Sequence, residues 1–240
     1  MKNGWLFACR YMLCALLLCA VTVGMAPWLA TLSDTDGISV EGTPLPVIVL
    51  DAGHGGEDCG AVGVDGVYEK DLNLKIAFLL RDLFLEAGYR VVMTRTEDRL
   101  LYTEEQNIKG QRKAYDLRNR LSVSEDLSDA WLISIHMNQF PEASCRGLQV
   151  WHNGVEPARE LALSVQNTVR AELEPHNRRK IKQAGTDMYL LHRSTHPAIL
   201  IECGFLSNSE DCTKLGSEEY QKELSFAIFC AMIQYNESKT

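Results

Sequence analysis

At 240 residues, 46% apolar and 23% charged, the chain has globular composition and enough length for one core, too little for two large domains. Its formal net charge is −8, and since the first thirty residues hold Lys2 and Arg10 but no acid, the remainder carries about −10. Nucleic acid is excluded as an expected partner, because such a surface repels phosphate.

The amino terminus is a separate object. Lys2 and Arg10 precede nineteen uncharged residues, Tyr11 to Leu29, rich in Leu, Val, Ala and Cys. As a helix this run reaches roughly 28 Å, close to the ~30 Å hydrocarbon core of a bilayer. Gly24-Met25-Ala26 offers small residues to a signal peptidase, but Pro27 follows directly. Residues 1–30 therefore read as a signal peptide or, in preference, an uncleaved membrane anchor that leaves Asp34 onward on the extracytoplasmic side. Cys19 lacks the small preceding residue of a lipoprotein signal. Residues 31–46, with Ser, Thr, Asp, Gly and Pro, read as a linker. Outside the apolar run stand Cys59, Cys145, Cys203, Cys212 and Cys230, odd in number and without C-x-x-C spacing. They are expected as small buried thiols, with one loop disulfide as the alternative.

From position 47 the pattern alternates. Val47-Ile48-Val49-Leu50 is a β-branched run that enters Asp51-Ala52-Gly53-His54-Gly55-Gly56, a strand delivering a histidine into a glycine-rich turn. Ile76, Leu79, Leu80, Leu83 and Ala87 recur at helical spacing up to Gly88, which puts Glu69 at the start of that helix. Further strands are expected at Tyr89–Thr94, Trp131–Ile135, Gly147–Trp151, Met188–Leu191 and Ala198–Ile201, and helices near Gln111–Ser124, Glu156–Glu174 and Ser217–Tyr235. This order predicts an α/β sheet with helices on both faces.

Three polar residues then stand at the carboxyl ends of predicted strands, His54, His136 and Glu202, with Glu69 at a nearby helix start. Strand ends of a parallel sheet share one rim, so the four can converge. Two imidazoles and one carboxylate make a catalytic zinc set with a coordination position left open, and the second carboxylate is then free to carry a proton. Singly, each residue fits a plainer reading: an acid at a helix amino terminus, a core histidine, an ion-pair partner. His152, His192 and His196 are weaker candidate ligands. Arg178-Arg179-Lys180 with Lys182 reads as a solvated loop or else a contact for an anionic substrate or partner. H-E-x-x-H and G-x-S-x-G are absent, and Ala61 stands where a phosphate loop needs Lys.

Asp51-Ala52-Gly53-His54-Gly55-Gly56, Glu69-Lys70-Asp71-Leu72-Asn73-Leu74, Ser134-Ile135-His136-Met137-Asn138 and Glu202-Cys203-Gly204-Phe205-Leu206-Ser207-Asn208 follow one another in the order found in a known family. Over about Pro46 to Gln234 the chain resembles the zinc-dependent N-acetylmuramoyl-L-alanine amidases. The resemblance implies a twisted mixed, mostly parallel sheet of about six strands in a catalytic domain over residues 47–236. It also implies one Zn2+ on His54, Glu69 and His136, Glu202 as catalytic acid/base, and hydrolysis of the lactyl–L-Ala amide of peptidoglycan. A narrower likeness, carried by Gln111 to Arg120 and by Asn177-Arg178-Arg179 ahead of Tyr189-Leu190-Leu191, is to the spore-cortex amidases, which strip stem peptides so that muramic-δ-lactam forms. That likeness brings in an accessory lipoprotein as a candidate partner, beside peptidoglycan and the membrane. The rival readings are a vegetative amidase of cell separation, a zinc peptidase cutting within the stem, and an inactive wall-binding module.

Overall fold

The computed structural model of the protein describes residues 45–238. The β-branched run becomes β1 (Val47–Ala52), buried on both faces because its alternate side chains enter two apolar layers. The chain continues through α1 (Glu69–Glu86), β2 (Val91–Met93), α2 (Arg112–Glu125), β3 (Ala130–Asn138), β4 (Gln149–His152), α3 (Ala158–Glu172), β5 (Lys182–Gln183), α4 (Tyr189–Arg193), β6 (Ala198–Phe205), α5 (Ser209–Gly216) and α6 (Glu218–Glu237). The six strands form one sheet in the order β2-β1-β3-β6-β4-β5. β1 pairs in parallel with β2 and β3, and β3 with β6, whereas β4 is antiparallel to β6 and carries β5 parallel to itself. The sheet is thus mostly parallel and mixed at one edge, as expected.

One layer joins Ile48, Leu50, Ile133, Ile135, Ile199 and Ile201 to α1, α3 and α6. Leu72, Ile76, Leu80 and Phe84 recur every four residues on α1, so a single stripe of that helix is buried there. The opposite layer joins Val49, Leu132 and Leu200 to Leu117 and Leu121 of α2 and to Leu190 and Leu191 of α4.

Four expectations are corrected. Met188–Leu191 is not a strand: Met188 caps α4, and the His192 amide donates to its carbonyl at 2.8 Å. A short apolar run fits a strand or a buried helical turn equally well. The sixth strand is instead the exposed pair Lys182–Gln183, too short for any periodicity. α5 was hidden in a polar stretch, where Asn208 caps it by accepting from the amides of Glu210 and Asp211 at 3.1 and 3.0 Å. β3 and β6 run on to Asn138 and Phe205, so His136 and Glu202 lie inside strands and not at their ends. Cys59, Cys145, Cys203, Cys212 and Cys230 are all free thiols. The apolar segment 1–30 and residues 31–44 of the expected linker lie outside the described residues. No described helix is long and apolar enough to cross a membrane.

α2 departs from the usual pattern, since its buried positions are Asp116, Arg120 and Ser124. Arg120 donates to Asp116 and Asp51 at 2.8 Å each, and to the carbonyls of Ala52 and His54 at 2.7 Å. Asp51 also accepts from Thr94 Oγ1 at 2.7 Å and Ser134 Oγ at 2.6 Å. Burial alone would raise the Asp51 carboxyl, but the Arg120 charge and these hydroxyls hold it at about 2.

Because Asp51 is lowered from an ordinary 3.8, its stabilising effect is complete above that value and is lost as pH falls towards about 2. Asp51→Asn removes one of two partners of a buried charge and is expected to cost ~3–5 kcal/mol near neutral pH. It should also flatten the fall of stability below pH 3.8. Urea titrations at neutral and acidic pH check this, and unchanged stability at neutral pH would remove the network from its structural role.

Candidate metal centre

β1, β3 and β6 are adjacent inner strands, and the parallel register of the last two sets His136 directly beside Glu202. β1 ends one residue before Gly53, whose amide still donates to Ile135 of β3 at 3.1 Å. Gly53 is required there: a Cβ would stand 2.3 Å from the His136 ring, so only a bare backbone lets the imidazole lie against it. His54 follows with φ +62, a left-handed conformation costly for a non-glycine residue. It is held because the Ala52, Gly53 and His54 carbonyls are all bound, by Arg120, by Arg95 at 2.8 and 3.0 Å, and by Asn73 at 3.1 Å.

Glu69 enters from the first turn of α1 and is 3% exposed. One of its oxygens accepts from the Ala61 amide at 2.7 Å. The other, Oε1, accepts from the Met137 amide at 2.9 Å and lies 2.9 Å from His136 Nδ1 and 3.2 Å from His54 Nε2. The two imidazoles meet edge to face with centroids 5.0 Å apart. One donor atom from each of His54, Glu69 and His136 lies within 4.8 Å of the others, and no further group of three or more candidate ligands occurs among the described residues. His152, His192 and His196 take no part in it. Two neutral imidazole nitrogens and a carboxylate gathered in this way suit zinc.

The other imidazole nitrogen of His54 is 3.0 Å from Asp58, which Lys113 approaches at 2.9 Å. A carboxylate on the far side of a ligating histidine orients the ring. Burial disfavours the His54 imidazolium, but the Asp58 and Glu69 carboxylates outweigh it and raise the group to about 9. Burial would likewise raise Glu69, yet hydrogen bonds and charge from His136 and His54 bring it far below the carboxylate range.

Glu202 has the opposite environment. Its Oε2 is buried without a hydrogen-bond partner. Burial raises its carboxyl to about 7, the pull of the His136 and His54 charges being opposed by the push of Glu69. His54, His136 and Glu202 line a cleft of about 270 Å³ walled by Lys113 and Leu117 of α2 and by Met188 to Leu191. The four site residues read from the sequence therefore come together. Arg120, Arg95, Asn73 and Asp58, which hold them, were not read as functional. The available signal was Asp116 and Arg120 at i, i+4 spacing on a helix otherwise short of apolar residues.

Residues 48–234 match the family described as N-acetylmuramoyl-L-alanine amidase. The chain is similar to the germination-specific N-acetylmuramoyl-L-alanine amidase of Bacillus subtilis strain 168, with 38% identity over 79% of each chain. Among solved structures it is similar to the CwlD amidase of Clostridioides difficile, solved in complex with the GerS lipoprotein, at a TM-score of 0.76 and 36% identity over 82% of this chain and 100% of that one. It is also similar to the amidase AmiC2 of Nostoc punctiforme, at a TM-score of 0.69 and 29% identity over 82% and 99% of the two chains. Fold, motif order and site geometry agree with these likenesses: the chain belongs to the N-acetylmuramoyl-L-alanine amidase family and is a peptidoglycan hydrolase.

Proposed function

We propose that this amidase uses one zinc ion held by His54, Glu69 and His136, with Glu202 as the catalytic acid/base, on the lactyl–L-Ala amide of spore-cortex peptidoglycan. The observation that carries the reading is the gathering of the three donor groups beside Glu202, whose buried Oε2 has no hydrogen-bond partner, at a cleft lined by His54, His136 and Glu202. A bound zinc supplies Lewis-acid activation of water and of the scissile carbonyl. Glu202, with a carboxyl raised to about 7, takes the proton from the attacking water and returns it to the departing L-Ala nitrogen. Asp58 lies 3.0 Å from the His54 ring at ion-pair distance, and Arg120 holds the carbonyl of His54 itself. The cleft wall at Met188 to Leu191 excludes bulk water from one side.

The cortex assignment is supported by the likeness to the germination-specific amidase and to CwlD. The solved complex of the latter supports an accessory lipoprotein as a partner of this chain as well. Residues 1–30 act as the export segment, cleaved or kept as an anchor, and 31–46 as the linker to a catalytic domain over 47–236.

Three outcomes are expected. Purified protein should hold about one zinc per chain by elemental analysis, and His54→Ala, Glu69→Ala and His136→Ala should each lose most of it; full zinc in all three would sink the ligand assignment. Glu202→Gln should keep the metal while turnover falls roughly 10²–10⁴-fold; near-normal turnover with zinc retained would mean another base. Mass spectrometry of digested peptidoglycan should find peptides beginning with L-Ala, and a deletion strain should make spores without muramic-δ-lactam. Fragments that leave L-Ala on the sugar would favour a peptidase, and normal lactam with chained vegetative cells would move the enzyme to cell separation.

A further inference from the structure

The basic loop after α3 does not belong to the metal centre. It lines a second and larger cleft, of about 470 Å³, on the rim where β6 ends and β4 begins. Arg146, Arg178, Arg179 and Lys214 contribute cationic side chains, and Leu173 part of the apolar wall. Glu174, Glu210 and Asp211 offset three of these four charges and leave one in excess, but their oxygens are already engaged. Asp211 turns inward to accept from the amides of Gly147 and Phe205 at 2.8 and 2.9 Å. Glu174 is likewise engaged by the Leu148 amide, Asn177 and Tyr220. Glu210 alone forms ion pairs, with Arg146 at 2.7 Å and Lys214 at 2.8 Å. Arg178 is exposed and forms no ion pair among the described residues. Arg179 is held with its guanidinium 4.1 Å from the Phe205 ring centroid, its Nε donating to the Arg146 carbonyl at 2.8 Å, a fixed fork with donor capacity left over.

The cleft is within reach of the scissile bond. Arg179 contacts Gln149 Oε1 at 3.3 Å, and Gln149 is the register partner of Glu202 across the β4–β6 pair. Phe205 lies three residues along β6 from Glu202, roughly 10 Å at strand rise. A peptide whose first residue is at Glu202 and which runs extended at ~3.3–3.6 Å per residue places the side groups of its second and third residues over these cations. Free carboxylates at those positions match a planar guanidinium fork.

We propose that this cleft is a subsite for the carboxylates of the stem peptide, which makes the enzyme selective for stems whose second or third residue is anionic. This rests on the amidase reading of the site, and the test separates the two. Steady-state kinetics are measured on two muropeptides of one sequence, one with free stem carboxylates and one with them chemically amidated. The parent enzyme is compared with Arg178→Glu and with Arg178→Glu combined with Lys214→Glu, both positions being at the surface. The parent is expected to show a KM roughly tenfold lower for the free acid at similar kcat, and the charge reversals to abolish that preference while turnover of the amidated substrate stays unchanged. Equal KM for the two substrates in the parent overturns the subsite without involving any variant. A preference that survives both reversals overturns it as well, and would assign the cleft to another anionic partner. Failure of the parent to release peptides beginning with L-Ala from either substrate would instead overturn the amidase reading.

Discussion

Three consecutive carbonyls, those of Ala52, Gly53 and His54, are bound by two buried arginines and an asparagine, and the rest of the site depends on that grip. The turn is needed to bring an imidazole from the end of β1 across to β3, and it forces His54 to φ +62. Such a conformation persists only where its surroundings over-determine it. Arg95 does this with hydrogen bonds that all go to carbonyl oxygens, those of Ala52, Gly53, Lys70 and Glu97. Its bond to Lys70 ties the turn to the first turn of α1, where Glu69 sits. Arg120 does it with its charge balanced by Asp51 and Asp116. The polar stripe of α2 is therefore the inner wall of the site, although it is the least apolar helix of the fold.

The same surroundings give two neighbouring carboxylates opposite character. Glu69 is 3% exposed but meets two amides and two imidazoles, so its charge is welcome. Glu202 is half-buried, and its buried Oε2 has no hydrogen-bond partner, so its charge is penalised. The proposed ligand has to stay an anion and the proposed proton carrier has to change its charge, and hydrogen-bond supply separates the two carboxylates more than burial does.

Much of this was readable in the chain. The strand at Val47–Leu50, the helix that carries Ile76 and Leu80 and the delivery of His54, Glu69, His136 and Glu202 to one place follow from periodicity and from the habit of parallel sheets to gather residues along one rim, although the buried stripe is Leu72, Ile76, Leu80 and Phe84 and leaves the expected Leu79, Leu83 and Ala87 outside it. What failed was short or polar. Met188–Leu191 carries no length from which to tell a helical turn from a strand, and Lys182–Gln183 has no period. Arg95 and Arg120 look like surface cations in a sequence, since burial of a guanidinium is decided by acceptors that only the tertiary structure brings together. Asp58, four residues after His54, belongs to no motif, yet it lies 3.0 Å from the imidazole.

The parallel pairing of β1, β3 and β6 also dictates when this site can exist during the life of the chain. None of those pairings is local, and each closes a long loop before any contact rewards it. Glu202 reaches its place only after β6 has inserted between β3 and β4, which requires nearly the whole domain to be present. A nascent chain can display two histidines and a glutamate in order and yet possess no hydrolytic centre. Activity is withheld by topology until folding is complete.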